Sequence, residues 1–397
     1  MSTNLLRTAL LGAVTGVIAV GMAPGVARAA VPACVETTPL QRPIEYDSTD
    51  ILPDGRVTFR LCAPQATAAK LVSSEIEAVP AGYDGKPEGL PMAKDELGYW
   101  SVTTPTPVAP GPYRYGFKVD GIRVADPQVT HYSQFFRGVI STIDIPGTSA
   151  AFESFHADVP HGLVSTLDYW SKSLGMQRRA HIYTPPGYEA GKGAHLPVLY
   201  LVHGAGDSDD SWTSIGHAQY ILDNLIAAGK AKPMIIVMPF GHTPAREGVE
   251  RMNNTDFGAD LLGDLVPYVD AHFRTAPKPA KRAMAGLSMG GAHTLQFGLP
   301  HPEVFGAIGV FSVGLLGDDP LPAYGAAHGD GLKKRGEAHG LVYYAIGKAD
   351  PFRKLVEPTE KMFDQYGIKY EFHESEGGHT WQNWRDYLVL FAPKLFQ

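Results

Sequence analysis

Cysteine is close to absent: the 397-residue chain carries two, and they form no C-x-x-C pair. A thiolate metal centre is thereby excluded. Charge is sparse as well. Asp, Glu, Lys and Arg make up 19% of the chain, and 34 basic against 41 acidic residues leave a formal net charge of −7. The cations are scattered, which excludes the basic footprint of a protein that binds a phosphate backbone. Histidine is plentiful at 15, yet no H-E-x-x-H and no close His/Asp trio occurs. P-loop and dinucleotide glycine signatures are missing too, so neither a metal nor an organic cofactor is expected. Beyond the first thirty residues, no apolar run is long enough to cross a bilayer.

What is present falls into successive parts. "MSTNLLRTALLGAVTGVIAVGMAPGVARAA" has one early cation at Arg7, an apolar stretch from Ala9 to Val20, and small residues at Ala27 and Ala29. That is the layout of a cleaved secretory signal over residues 1–29, and it predicts an exported protein, secreted or periplasmic, with no membrane anchor. In an oxidising compartment Cys34 and Cys62 are expected to pair as a disulfide.

Residues 30–147 read as all-β. "RVTFRLCAP", "GYWSVTTP" and "GPYRYGFKVDG" are short β-branched or aromatic runs between Gly, Pro and Asp turns. Their spacing predicts a small antiparallel sandwich. "GYWSVTTPTPVAPGPYRYGFKVDGIRVADP" resembles the immunoglobulin-like N-terminal modules of branching enzymes and many esterases. The resemblance makes Trp100 and Tyr113 packing residues and the module a structural or orienting one, with carbohydrate binding as the alternative. Residues 148–162 are small, polar and turn-forming, and read as a linker.

Residues 163–397 alternate strands with helices. "LPVLYLVHG", "PMIIVMP", "RAMAGL", "FGAIGVFS", "LVYYAIG" and "KYEFHES" are strands, several continuously apolar. "GHAQYILDNLIAAG", "TDFGADLLGDLVPYVDAHF", "FRKLVEPTEKMFDQYG" and "TWQNWRDYLVLFAPKLF" carry helical spacing. The pattern predicts an α/β domain with a doubly wound, mostly parallel sheet covered on both faces. Functional residues in such a sheet gather at the carboxyl ends of its strands.

That rule selects among the polar residues. Ser288, in "GLSMGGAHTL", follows the strand "RAMAGL" and opens a helix, the strand–turn–helix context that a G-x-S-x-G nucleophile elbow needs. A serine hydroxyl requires a base, and the base an orienting acid. Asp350 in "YYAIGKADP" and His379 in "HESEGGHTW" lie at later strand ends, in the order Ser, Asp, His. Asp318 and Asp319 are rival acids, and His373, inside a strand, is a rival base. An oxyanion hole is expected from the N–H groups of Met289 and of Ala205, in the glycine-bearing loop "HGAGDSDD". His203 is expected to order that loop. His217, His293 and His301 read as helix or loop-surface residues.

"DVPHGLVSTLDYWSKSLGMQRRAHIYTPPGY", "LYLVHGAGDSDDSW", "ILDNLIAAGKAKPMIIVMP", "AGLSMGG" and "GGHTWQNWR" together resemble the esterase D-like family, which includes feruloyl and acetylxylan esterases. The resemblance implies an α/β-hydrolase fold, with Ser288 as nucleophile, Asp350 as acid and His379 as base. It implies a secreted serine carboxylesterase acting on feruloyl or acetyl esters of plant cell-wall polysaccharide. An enterobactin-type siderophore esterase and an acyltransferase are the alternatives. Asp207 stands where the family often has a second glycine, which puts a carboxylate near the hole or on the surface. Trp212, Phe240, His242 and Trp381 are candidate pocket residues, and residues 312–340 a shaping lid or a surface loop.

Overall fold

The computed structural model describes residues 32–397 apart from 38–39, 42, 83–86, 137, 148–151, 191–192, 194, 248–253 and 318. The expected signal over residues 1–29 and the rival acid Asp318 lie outside the described residues.

Residues 49–145 form two packed antiparallel sheets, one of four strands and one of six. Val57–Cys62 shows how sequence dictates this: Val57, Phe59 and Leu61 are buried while Thr58, Arg60 and Cys62 turn outward, the period of a half-buried strand. Phe59, Tyr115 and Phe117 fill the interior. Trp100 packs there too and donates its indole N–H to the Ala63 carbonyl, whereas Tyr113 is only partly buried and donates to Ala109. Cys34 and Cys62 are disulfide-bonded, as their number and setting predict, with Cα atoms 5.5 Å apart. Tyr99 adds a hydrogen bond to the Pro32 carbonyl at 2.9 Å, so the arm is held to the four-stranded sheet.

The second sheet has eight strands: β1 (Leu163–Ser171), β2 (Met176–Thr184), β3 (Val198–Val202), β4 (Ile235–Pro239), β5 (Arg282–Leu287), β6 (Ala307–Phe311), β7 (Val342–Gly347) and β8 (Glu371–Ser375). Their order is β1-β2-β4-β3-β5-β6-β7-β8, antiparallel at β1, β2 and β4, and parallel from there on. Every residue of β3 to β7 is buried, because helices cover both faces. Helices Ala218–Ala227 and Trp381–Phe391 pack on one face. On the other lie the helical run Asp256–His272, the helix that opens at Met289, and Val356–Gln365. This is the α/β-hydrolase architecture.

Two elements differ from expectation. Strand β1 carries no sequence signal because it is a sheet edge: of its nine residues only Tyr169 and Ser171 are buried. Residues 320–338 form a helix of 19 residues where the sequence pattern suggested no regular element. Its glycines conceal it from propensity, each costing about 1 kcal/mol against alanine. One of them is required by packing, since a Cβ on Gly331 would fall 2.1 Å from the Pro300 carbonyl oxygen. Arg335 anchors the helix by donating to the carbonyls of Leu299 at 3.0 Å and Phe305 at 2.7 Å. Asp319 is the residue before this helix and is no candidate acid.

Candidate active site

Ser288 stands between β5 and the helix Met289–His293 with φ +51° and ψ −116°, a left-handed backbone that a non-glycine residue adopts only under constraint. Two neighbours supply the constraint. The Ser288 N–H donates to Phe311 of β6 at 2.9 Å. A Cβ on Gly286 would lie 2.4 Å from the Gly290 carbonyl carbon, so the turn closes only on glycine. Gly290 in turn lets the helix touch the end of β3: its Cβ would sit 2.3 Å from the Val202 oxygen. The elbow and the loop after β3 are therefore held side by side.

Asp350 follows β7 and is 3% exposed. Its Oδ2 lies 3.0 Å from Nδ1 of His379, and its Oδ1 accepts the Phe352 N–H at 2.9 Å. Both carboxylate oxygens are thus occupied, and the imidazole is fixed in azimuth. His379 sits after β8, its ring edge-on to Trp384 at 5.0 Å. Trp384 donates its indole N–H at 2.9 Å to Ser312, the residue after Phe311. A short chain of contacts thus links the imidazole at 379 to the backbone that anchors the elbow. His373 stays within β8, stacked on Tyr343 at 6.3 Å.

The loop after β3 is built around buried polar groups. His203 is neutral, because burial pushes its pKa down. Its Nε2 accepts from Gly241 at 2.9 Å, leaving Nδ1 to donate to the Gly204 carbonyl at 2.8 Å. Asp207, whose placement the sequence left open, is buried and turned inward: Oδ2 accepts the Gly204 N–H at 3.0 Å. A Cβ on Gly204 would meet that oxygen and Leu287 at 2.8 Å and Ser288 Cβ at 3.6 Å, so the loop passes directly beside the elbow.

A cavity of about 470 Å³ opens next to Met289. Phe240 and His242 line it. Trp212 and Trp381 do not; they are buried at 0% and 1% exposure, edge-to-face with each other, and belong to the core under the helices. Trp381 also borders a separate cleft against the sandwich. His293, read from sequence as a helix or loop-surface residue, ends the helix Met289–His293 and lines the cavity with its ring stacked on Phe257 at 4.4 Å. The signal was there: Met289 and His293 are four apart on one helix and so share a face. Arg178 holds the rim, donating to the carbonyls of His242 at 2.6 Å and Phe240 at 2.5 Å.

The sandwich reaches this cavity as well. Phe136, at the turn between strands Tyr132–Phe135 and Gly138–Ile145, lines it with its ring 4.3 Å from His242. The same hairpin pairs with the loop after β3: Phe136 N–H donates to Gly206 at 3.1 Å, and Gln134 N–H to Asp210 at 3.0 Å. No motif announces this contact, because it joins distant parts of the chain.

The family described as "Putative esterase" matches residues 171–395. A Xylanibacter ruminicola protein described as an endo-1,4-beta-xylanase/feruloyl esterase is 34% identical over 353 residues, 87% of this chain and 45% of that protein. A Mycobacterium tuberculosis esterase is 32% identical over 135 residues, 32% of this chain and 27% of its own. The chain spans less than half the length of these relatives. A solved ferulic acid esterase superposes with a TM-score of 0.52 at 25% identity, over 59% of this chain and 98% of that one. The enterobactin esterase of Shigella flexneri shares the fold over 86% of this chain and 93% of its own, with a TM-score of 0.61 at 19% identity. With over half of its length matched by that family, the chain belongs to the esterase family and carries its α/β-hydrolase fold.

Proposed function

We propose that this protein is an exported serine carboxylesterase that releases aromatic acyl groups of the feruloyl type, and acetyl groups, from plant cell-wall polysaccharide. The observation that carries the reading is the strained Ser288 elbow at the end of β5, together with His379 held by the buried Asp350 carboxylate at 3.0 Å and tied toward the elbow through Trp384 and Ser312. In the proposed reaction Ser288 Oγ attacks the ester carbonyl while His379 Nε2 takes its proton. The N–H groups of Ala205 and Met289 receive the developing oxyanion, each worth about 3–4 kcal/mol of barrier. The imidazolium then protonates the departing alkoxide, and water, deprotonated by His379, cleaves the acyl-enzyme and restores the serine. Asp350 keeps Nδ1 protonated and stabilises the cation.

The cavity suits an aryl acyl chain. Phe136, Phe240 and Phe257 offer apolar faces, and His242 and His293 offer polar edges. A catecholate siderophore would ask for free cations, whereas among the described residues the two lining arginines are each engaged with a carboxylate, Arg178 with Asp260 and Arg246 with Asp256. The disulfide supports an oxidising destination. Among the described residues, no helix is long and apolar enough to cross a membrane.

The test is a substrate panel of methyl ferulate, acetylated xylan, an aryl acetate and ferric enterobactin, run on the wild type and Ser288→Ala. Turnover of the first three, lost in the variant with its fold intact by circular dichroism, is expected. Wild-type rates in Ser288→Ala would refute the serine assignment, and preference for ferric enterobactin would replace the substrate class.

A further inference from the structure

The loop after β3 holds a carboxylate close to where the reaction develops negative charge. Left alone, Asp207 would oppose that charge. It is not alone. While its Oδ2 takes the Gly204 N–H at 3.0 Å, its Oδ1 takes Nη1 of Arg114 at 2.6 Å. Arg114 belongs to the strand Gly111–Val119 of the sandwich, so this ion pair crosses from one module to the other.

The guanidinium is itself clamped. Its Nε donates to Glu75 Oε1 at 2.6 Å, and the Arg114 N–H donates to Glu75 Oε2 at 2.6 Å. Its carbon lies 5.8 Å from the ring of Trp381, two residues beyond His379. The side chains of Arg114 and Asp207 are 14% and 5% exposed, so solvent screens the pair little. A planar guanidinium fork fixes direction as well as charge, which an ammonium cannot do. Burial alone would raise the Asp207 pKa, but Arg114 and the Gly204 N–H hold it below the usual carboxylate range.

We propose that Arg114 is a positioning residue of the hydrolytic site: through Asp207 it fixes the turn at Gly204, so that the Ala205 N–H faces the oxyanion, and its positive charge, shared with Glu75, offsets that of the Asp207 carboxylate. The proposal rests on the serine-esterase reading above. On this view the sandwich is a working part of the catalytic apparatus. Without the guanidinium, Asp207 keeps one donor, is free to rotate, and presents net negative charge to the tetrahedral intermediate.

The experiment uses the full chain and compares Arg114→Met, Arg114→Lys and Asp144→Ala with the wild type. Asp144 bonds Arg385 across the same module boundary at 2.8 Å and controls for loosened docking. Three quantities are read: kcat and KM on an aryl acetate and methyl ferulate, inhibition by an aryl boronic acid that forms a tetrahedral adduct on serine, and the thermal midpoint. Arg114→Met is expected to lower kcat about 10- to 100-fold, with KM within about twofold and boronate affinity weakened in parallel. Arg114→Lys should fall between it and the wild type. Asp144→Ala should keep its kcat whatever its midpoint does. An unchanged kcat in Arg114→Met, or an equal kcat loss in Asp144→Ala, overturns the proposal. If Arg114→Met fails to fold, Arg114→Lys decides: kcat must fall more than KM rises. Ser288→Ala in the same assay separates the two readings. Turnover near the wild-type rate there rejects the serine mechanism, whereas a dead Ser288→Ala beside a fully active Arg114→Met rejects the Arg114 role alone.

Discussion

Single residues carry the chemistry through the contacts that restrain them. Asp350 is enclosed and spends one oxygen on the Phe352 N–H and the other on His379. Asp350→Asn should therefore keep its place in the fold but present an amide that favours the wrong imidazole tautomer. A fall in kcat of about 10⁴ with little change in melting temperature is expected, measured by steady-state kinetics and calorimetry. The strand-end positions of Ser288, Asp350 and His379 were legible in the sequence: Ser288 and Asp350 follow the apolar strands β5 and β7, and His379 follows the more polar, partly exposed β8, and strand ends are where such sheets place their working groups. Trp212 and Trp381 misled for the same reason. They lie near the right strand ends, but a large indole needs burial, and both turn into the core. Proximity along the chain does not fix the direction of a side chain.

At the scale of elements, what could be read depended on how each is buried. The buried strands β3 to β7 announce themselves as apolar runs, whereas edge strand β1 does not. Helix Pro320–Ala338 was hidden by glycines that tertiary packing demands rather than local propensity. The segment bearing Phe136 fell within the all-β stretch read from the sequence, but neither its hairpin nor its destination was legible, since only docking brings it to the cavity. Phe136→Ala removes one aromatic wall near His242. Its KM for methyl ferulate should rise about tenfold while KM for a small acetyl ester stays unchanged, since a lost apolar contact discriminates by size. Equal losses on both substrates, in parallel kinetic assays, would assign Phe136 to scaffold alone.

For the whole molecule, the boundary between the modules is where pH should act. Glu153, downstream of the sandwich, is pushed up from 4.5 to about 7, chiefly by burial and further by Asp386, against the pull of Arg385. Between those values the folded chain binds a proton that the unfolded chain has released, so this carboxyl withdraws stability as pH rises through the window. Glu153→Gln should raise the thermal midpoint at about pH 8 and leave it nearly unchanged at about pH 4, read by calorimetry across buffers. The ion pair between Arg114 and Asp207 has a consequence of another kind. Grafting a foreign front module onto this hydrolase would transplant or discard a guanidinium, and a chimera without one would enclose a bare carboxylate at 207. Such a chimera is expected to keep its turnover only where a partner for the carboxylate at 207 comes with the new module, which kinetic assay of the graft would check.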